Sequence, residues 1–191
     1  MRMKSYLITD PALYPSAPPL FQNYLREIFH LHHPHCACLR DSKESRRELL
    51  APLFVKACQE CGVIPLLNSD IKMALAHGFE GVHLKGNQLG EIPKLQAYGL
   101  KSFYSAHSLQ DLQRASKEGV GVATISPIFA TPNKGEPLGI EFLEILEEYA
   151  FACEIFALGG IVSQKEIDFL KGFSSINGFA SIRFFLPLPP N

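Results

Sequence analysis

Short apolar runs alternate with amphipathic stretches along nearly the whole chain. Tyr6-Leu7-Ile8-Thr9-Asp10 predicts a first strand. Leu20, Phe21, Tyr24, Leu25, Ile28 and Phe29 then recur at helical spacing behind Pro18-Pro19. Cys36–Leu39 reads as a second strand, followed by a helix from Glu44 to Glu60 stopped by Gly62, with Pro52 marking a kink or a late start. Val63–Leu67 is a third strand, Ile71–His77 a short helix closed by Gly78, and Gly81–Leu84 a fourth strand. Gln88–Tyr98 is helical but weakened by Gly90 and Pro93. Ser102–Ser105 is a fifth strand, and Ser108 caps a helix over Leu109–Glu118, with Asp111 completing a capping-box variant. Val120–Ile125, Cys153–Leu158 and Ile176–Ser181 are the last three strands, with helices over Ile140–Tyr149 and Gln164–Leu170 between them.

Eight strands and seven helices in strict alternation imply parallel strands joined by helical crossovers. The pattern predicts an α/β fold, a (β/α)8 TIM barrel spanning residues 1–191 as a single domain. At 191 residues the chain is short against the usual size of about 250. The expected cause is an eighth helix missing or truncated, because Phe184-Phe185-Leu186-Pro187-Leu188-Pro189-Pro190-Asn191 cannot form one of full length. The bare wall would then be covered by the apolar tail or by a second copy in a homodimer. An open doubly wound sheet is the rival, but the first turn, Asp10 to Pro19, has no glycine and so no dinucleotide fingerprint.

Composition narrows the partners. A formal net charge of −1 gives no broad basic surface, which argues against nucleic acid. With 47% hydrophobic and 19% charged residues the chain can bury a sizeable core. No apolar run is long enough for a bilayer, and Met1-Arg2-Met3-Lys4-Ser5-Tyr6 lacks a signal-type stretch. The five cysteines (Cys36, Cys38, Cys58, Cys61, Cys153) are expected to be reduced, buried thiols of a cytoplasmic protein.

In such barrels the active site lies at the C-terminal ends of the strands. Those positions hold Arg40, Asn68, His83 with Lys85, Ser105 with His107, Ser126 with Thr131 and Lys134, Gly159-Gly160, and Ser181 to Arg183. The set is rich in cations and in groups that favour phosphate. Gly159-Gly160 would let a backbone come close to an anion at a helix N-terminus. A phosphorylated small molecule is the expected ligand.

Seven segments carry a family resemblance: Tyr6-Leu7-Ile8-Thr9-Asp10, Leu39-Arg40-Asp41, Gly81-Val82-His83-Leu84, Ser105-Ala106-His107-Ser108, Ser126-Pro127-Ile128-Phe129-Ala130-Thr131-Pro132-Asn133-Lys134, Ala157-Leu158-Gly159-Gly160-Ile161 and Gly178-Phe179-Ala180. In this order, at these strands, the chain resembles the thiamin phosphate synthase/TenI family over almost its whole length. The resemblance implies a (β/α)8 barrel and one of two reactions. The synthase joins hydroxymethylpyrimidine pyrophosphate to a thiazole phosphate and releases pyrophosphate. The TenI branch includes a thiazole tautomerase that aromatises the thiazole phosphate by moving a proton.

Departures from the synthase pattern favour the TenI branch. Its Gln-x-Arg-x-Lys reads Cys38-Leu39-Arg40-Asp41-Ser42 here, with Lys43 one place late. The magnesium-holding Asp after strand three is Ser69, with Asp70 one place late, and the second magnesium Asp corresponds to Gln88. Magnesium needs hard, charged oxygen ligands, so the first expectation is no metal and no cofactor, with Mg2+ only in the synthase alternative. The resemblance then implies His107 as general base and acid. It implies Gly159, Gly160, Ser181, Ile182 and Arg183 as phosphate ligands, and Arg40, Lys43, Asn68, His83, Ser105, Thr131, Asn133 and Lys134 as residues around a thiazole or pyrimidine substrate. A third reading is a degenerate barrel that binds thiazole or thiamin phosphate without turnover.

Plainer readings stand beside these. His83 would point inward between outward Val82 and Leu84 as a hydrogen-bonded core residue. His30, His32, His33 and His35 with Cys36 and Cys38 match no standard zinc spacing. Lys43, Glu44, Arg46, Arg47 and Glu48 read as a solvated helix face, and Arg183 could pair with Glu166 instead of a phosphate.

Overall fold

The computed structural model describes residues 3–132 and 134–186. Strands β1 (Lys4–Ile8), β2 (Cys36–Leu39), β3 (Ile64–Asn68), β4 (Gly81–Leu84), β5 (Lys101–Ala106), β6 (Val122–Ile125), β7 (Glu154–Leu158) and β8 (Gly178–Ser181) form a closed barrel in sequence order. Every neighbouring pair is parallel, and β1 closes on β8 from Lys4 opposite Gly178 to Leu7 opposite Ser181. That closure removes the open-sheet alternative. Helices α1 (Pro18–His32), α2 (Glu44–Cys61), α3 (Ile71–His77), α4 (Ile92–Ala97), α5 (Leu109–Lys117), α6 (Gly139–Leu146) and α7 (Gln164–Leu170) surround the barrel.

Alternation along each strand separates two cores. Tyr6, Ile8, Cys36, Cys38, Leu66, Phe103, Phe156 and Ala180 fill the barrel interior. Leu7, Leu39, Val82, Leu84 and Tyr104 face outward into the layer shared with the helices, where Leu25, Phe54 and Leu143 meet them. Gly178 is needed here, because a Cβ would stand 2.7 Å from the Phe156 ring that crosses the interior.

Two expectations are adjusted, and that of a missing eighth helix is met among the described residues. Helix α2 runs through Pro52 without interruption, its apolar face of Leu50, Ala51, Phe54, Val55, Ala57 and Cys58 holding it to the barrel. The weak helix after β4 is a 3-10 turn over Gly86–Glu91 that passes into α4, where Pro93 sits in the first turn. No helix follows β8 among the described residues. Phe184 and Phe185 instead turn inward, and Phe185 stacks on Phe179 at 5.9 Å. Residues 187–191 of the apolar tail lie outside the described residues. All five cysteines are free thiols, and burial pushes the Cys38 thiol up to about 12. Among the described residues no helix is long and apolar enough to cross a membrane, and no three His, Cys, Asp or Glu stand together as a metal cluster.

Candidate active site

The β3–β4 end of the mouth is internally bonded. Asn68 ends β3 and its Nδ2 donates to Ser69 Oγ at 2.8 Å. Ser69 has a left-handed backbone, φ 66, which turns its carbonyl toward the next loop. Gln88 Nε2 donates to that carbonyl at 3.0 Å, and Gln88 Oε1 accepts from Lys85 N at 3.0 Å. Asp70 caps α3 by accepting from Met73 N, and stands 3.6 Å from Arg47. Asp41, the acid after β2, is likewise employed within the protein: it is buried, accepts from Lys43 N and lies 3.1 Å from Arg46 Nε. Arg46 and Arg47 are thus not part of a solvated face. They tie the start of α2 to the β2 and β3 loops, Arg47 Nη1 donating to the Asp41 carbonyl at 2.9 Å. Lys43 itself is exposed at the N-cap of α2.

Arg40 follows β2 and reaches across to Asp10 after β1, Nη2 to Oδ2 at 2.7 Å. Its backbone N–H donates to Thr9 Oγ1 at 2.9 Å. Below it, His83 points into the barrel as its alternation with Val82 and Leu84 requires. It is buried and bonded at both nitrogens, to Tyr6 Oη at 2.6 Å and Ser105 Oγ at 2.8 Å. Burial first, then the positive charge of Arg40, bring its pKa down to about 4, so the ring is neutral near pH 7.

His107 stands just past β5 and is exposed. Its N–H donates to Asp111 Oδ2 at 3.0 Å, so the acid of the first turn of α5 holds His107 rather than the N-cap Ser108. Its Nδ1 lies 2.9 Å from the Ser126 carbonyl. A carbonyl only accepts, so Nδ1 carries a hydrogen, and whenever the ring is neutral Nε2 is the nitrogen with the lone pair.

The β7–β8 end contrasts with the β3–β4 end. Gly159 and Gly160 have φ of 99 and 68, and a Cβ on Gly160 would meet Phe129 Cβ at 2.6 Å. These glycines let the loop after β6 lie flat on β7, with Ile128 N donating to Leu158 O at 2.9 Å and Phe129 N to Gly159 O at 3.1 Å. Among the described residues no protein acceptor takes the N–H groups of Gly159, Gly160, Ile182 or Arg183. Ser181 is different: its hydroxyl is buried and donates to Ile161 O at 2.7 Å while accepting from Phe184 N, so it shapes the turn. Glu166 is spent on the N-terminus of α7, accepting from Ser163 N and Oγ and from Val162 N. Exposed Arg183 has no carboxylate within ion-pair distance among the described residues. In the sixth loop Thr131 Oγ1 donates to Phe129 O at 3.0 Å, Lys134 is exposed, and Asn133 lies outside the described residues.

The model of the thiamine monophosphate synthase family matches residues 5–183. The chain belongs to that family. It is 40% identical over 107 residues to a thiamine-phosphate synthase of Herpetosiphon aurantiacus, covering 53% of this chain and 51% of that protein. It is 32% identical over 149 residues to a putative thiamine-phosphate synthase 2 of Aquifex aeolicus, covering 74% of this chain and 79% of that protein. The chain spans between half and two thirds of the length of the first curated relatives it matches. A thiamine phosphate pyrophosphorylase from Pyrococcus furiosus has the same fold, with a TM-score of 0.75 at 23% identity, covering 94% of this chain and 85% of that one.

Magnesium is the ion the family pattern implies between β3 and β4, and the residues present do not fit it. Ser69 and Gln88 are neutral, the Gln88 amide oxygen is already an acceptor, and its amide N–H2 faces the Ser69 carbonyl. A hard dication needs charged oxygens at that place.

Two features escaped the sequence reading. Tyr6 appeared only as part of a strand, and its contact with His83 joins residues 77 apart in sequence. Arg46 and Arg47 carry no signal beyond charge, although Asp70 immediately before Ile71 is a recognisable N-cap.

Proposed function

We propose that this barrel is an enzyme of thiamin phosphate formation, of the thiamine-phosphate synthase type, with a thiazole phosphate seated across the ends of β7 and β8. One observation carries the phosphate half: backbone N–H donors with no acceptor among the described residues follow both strands, with the exposed cation Arg183 beside them. The curated relatives' shared name supports condensation with hydroxymethylpyrimidine pyrophosphate. Arg40, Lys43 and Lys134 are then the cations for the departing pyrophosphate. Asn68 and Ser105 offer polar groups to the pyrimidine, with Thr131 and Asn133 on the loop above.

A second reading is favoured by the state of His107. With Nδ1–H directed to the Ser126 carbonyl, Nε2 of the neutral ring is free to take a proton from a bound thiazole and return it at another ring position. That reaction needs no metal, which agrees with the neutral pair Ser69 and Gln88. Incubation with both synthase substrates, with and without Mg2+, and separately with the non-aromatic thiazole phosphate decides between them. Thiamin phosphate as product supports condensation, and the aromatised thiazole phosphate alone supports proton transfer. Binding of thiazole phosphate with neither product overturns both and leaves the binding barrel.

A further inference from the structure

Among the described residues the helix layer is open beside β1 and β8. Helices α1 and α7 flank the gap, and a groove of about 320 Å3 lies between them. Its floor is Phe179 on β8 with Phe184 and Phe185 folded against it, their ring centroids 5.4 and 5.9 Å from that of Phe179. Leu31 of α1, which is 68% exposed, and Ile167 of α7 form its sides.

The polar groups of this groove are donors. Ser5 points outward from β1, because Tyr6 and Ile8 alternate with it and Tyr6 fills the barrel interior. Ser5 is 4% exposed, and its hydroxyl has no partner among the described residues. The Ser5 backbone is already used by His35, its N–H donating to Nδ1 at 3.1 Å and its carbonyl accepting from His35 N at 2.9 Å. At the rim, Gln164 Nε2 and Lys171 Nζ each donate to Asp168 Oδ1, and each carries further hydrogens. A buried hydroxyl without an acceptor is costly. The groove therefore lacks two things, acceptors and apolar cover.

The chain supplies both at the right place. Leu186 N donates to Arg183 O at 3.1 Å, which turns the backbone at the groove itself. The residues that follow are Pro187-Leu188-Pro189-Pro190-Asn191. Each proline keeps its carbonyl and lacks an N–H, so this stretch has five backbone acceptors and two backbone donors. Proline-rich sequences of this kind favour the extended polyproline form and suit grooves lined by aromatic rings. Five residues reach at most about 17 Å, and α7 rises only about 10 Å from Gln164 to Lys171.

We propose that residues 187–191 occupy this groove in the place of an eighth helix, with Leu188 on the Phe179 floor and a carbonyl of the segment accepting from Ser5 Oγ. The wall is then closed within one chain, and the inference holds whatever the substrate.

The test uses the full chain with 13C-labelled leucine methyl groups. Nuclear Overhauser contacts from Leu188 to the Phe179 ring and to Ile167 are expected in the monomer. Their absence overturns the proposal, and this result needs no variant to fold. Thermal melting supplies the second arm. Leu188→Asp should lower the melting temperature by roughly 3–10 °C, the shift for losing one buried leucine in a domain of this size. An unchanged melting temperature overturns the seating of Leu188. Ser5→Ala should lower it less, and should add nothing in the Leu188→Asp background. Equal losses in both backgrounds overturn the bond from Ser5 to the segment. Sedimentation across a range of concentrations decides the occupant. A monomer with these contacts supports the proposal. A dimer that forms equally well when the chain is stopped after Leu186 overturns it and gives the groove to a second copy.

Discussion

The two ends of the barrel mouth are built from the same kind of parts and treat their hydrogen-bonding groups in opposite ways. At β3–β4, Asn68, Ser69, Lys85 and Gln88 bond to one another, and Asp70 and Asp41 are drawn off to cap a helix and meet arginines. At β7–β8, the backbone donors of Gly159, Gly160, Ile182 and Arg183 have no partner among the described residues, and Glu166, the acid that could have silenced Arg183, is held by the N-terminus of α7. Donors without acceptors are costly unless water or a ligand takes them. On the proposed function, the half with open donors is the half that takes the phosphate, and the half that completes itself offers neutral Ser69 and Gln88 where a metal would need charge.

His107 stands past β5, between these ends, and gives the largest expected effect. His107→Asn should lower a proton-transfer rate by about 10²–10⁴, the usual contribution of a general base. Binding of thiazole phosphate should stay within a few-fold, because Arg183 and the strand-end amides are untouched. Unchanged aromatisation kinetics would remove His107 from the chemistry and turn attention back to condensation.

The next effect belongs to the self-completed half. The folded pKa of His83, about 4, lies below its ordinary 6.5, so between these values the unfolded chain binds a proton that the folded chain refuses. Stability therefore rises with pH across this window and is lost as pH falls from about 6.5 to about 4, by up to ~3 kcal/mol. Urea denaturation at pH 7 and pH 4.5 should show a smaller acid loss in His83→Gln than in the wild type. Equal losses would mean that another group carries the acid sensitivity.

Much of this was legible in the sequence because it is local. Each strand ends within two residues of where alternation and turn residues put it, and the turn chemistry of Gly62, Gly78 and Ser108 stops or starts helices as read. The conversion of Gln88–Tyr98 into a 3-10 turn plus a short helix is what Gly90 and Pro93 announce. The site residues came from motif and strand-end position, and their state did not. Ser181 is a phosphate-side position whose hydroxyl is taken by Ile161 O, and Arg46 looked like a solvated cation until the β1 loop was folded beneath it, with Arg46 Nη2 near the Pro11 and Tyr14 carbonyls. Such pairings join distant segments, and no periodicity records them.

Arg183 probes the open end. A charged hydrogen bond to phosphate is worth roughly 1.5–3 kcal/mol, or about tenfold to a hundredfold in affinity. Arg183→Ala should weaken thiazole phosphate binding by that order and leave the dephosphorylated alcohol nearly unchanged. Equal losses for both ligands, measured by titration calorimetry, would show that the guanidinium does not meet the phosphate.

The smallest effect tests the closed end directly. Gln88 makes two hydrogen bonds, and both tie loops rather than pack core: one to the Ser69 carbonyl and one from Lys85 N. Gln88→Ala should cost about 1 kcal/mol per bond at most, because water can reach the exposed partner at Lys85. Gln88→Asp together with Ser69→Asp is the sharper experiment. It restores two carboxylates where the family pattern places them, and an acidic pair facing one point favours a hard dication. Mg2+ should then raise the melting temperature of the double variant while leaving the wild type unmoved. A wild type that is itself stabilised by millimolar Mg2+ would break the contrast between the two ends. Asn68 Oδ1 would then be the first neutral ligand to examine. If the double variant stays indifferent to Mg2+, the left-handed turn at Ser69, and not charge alone, keeps the two positions from converging on an ion.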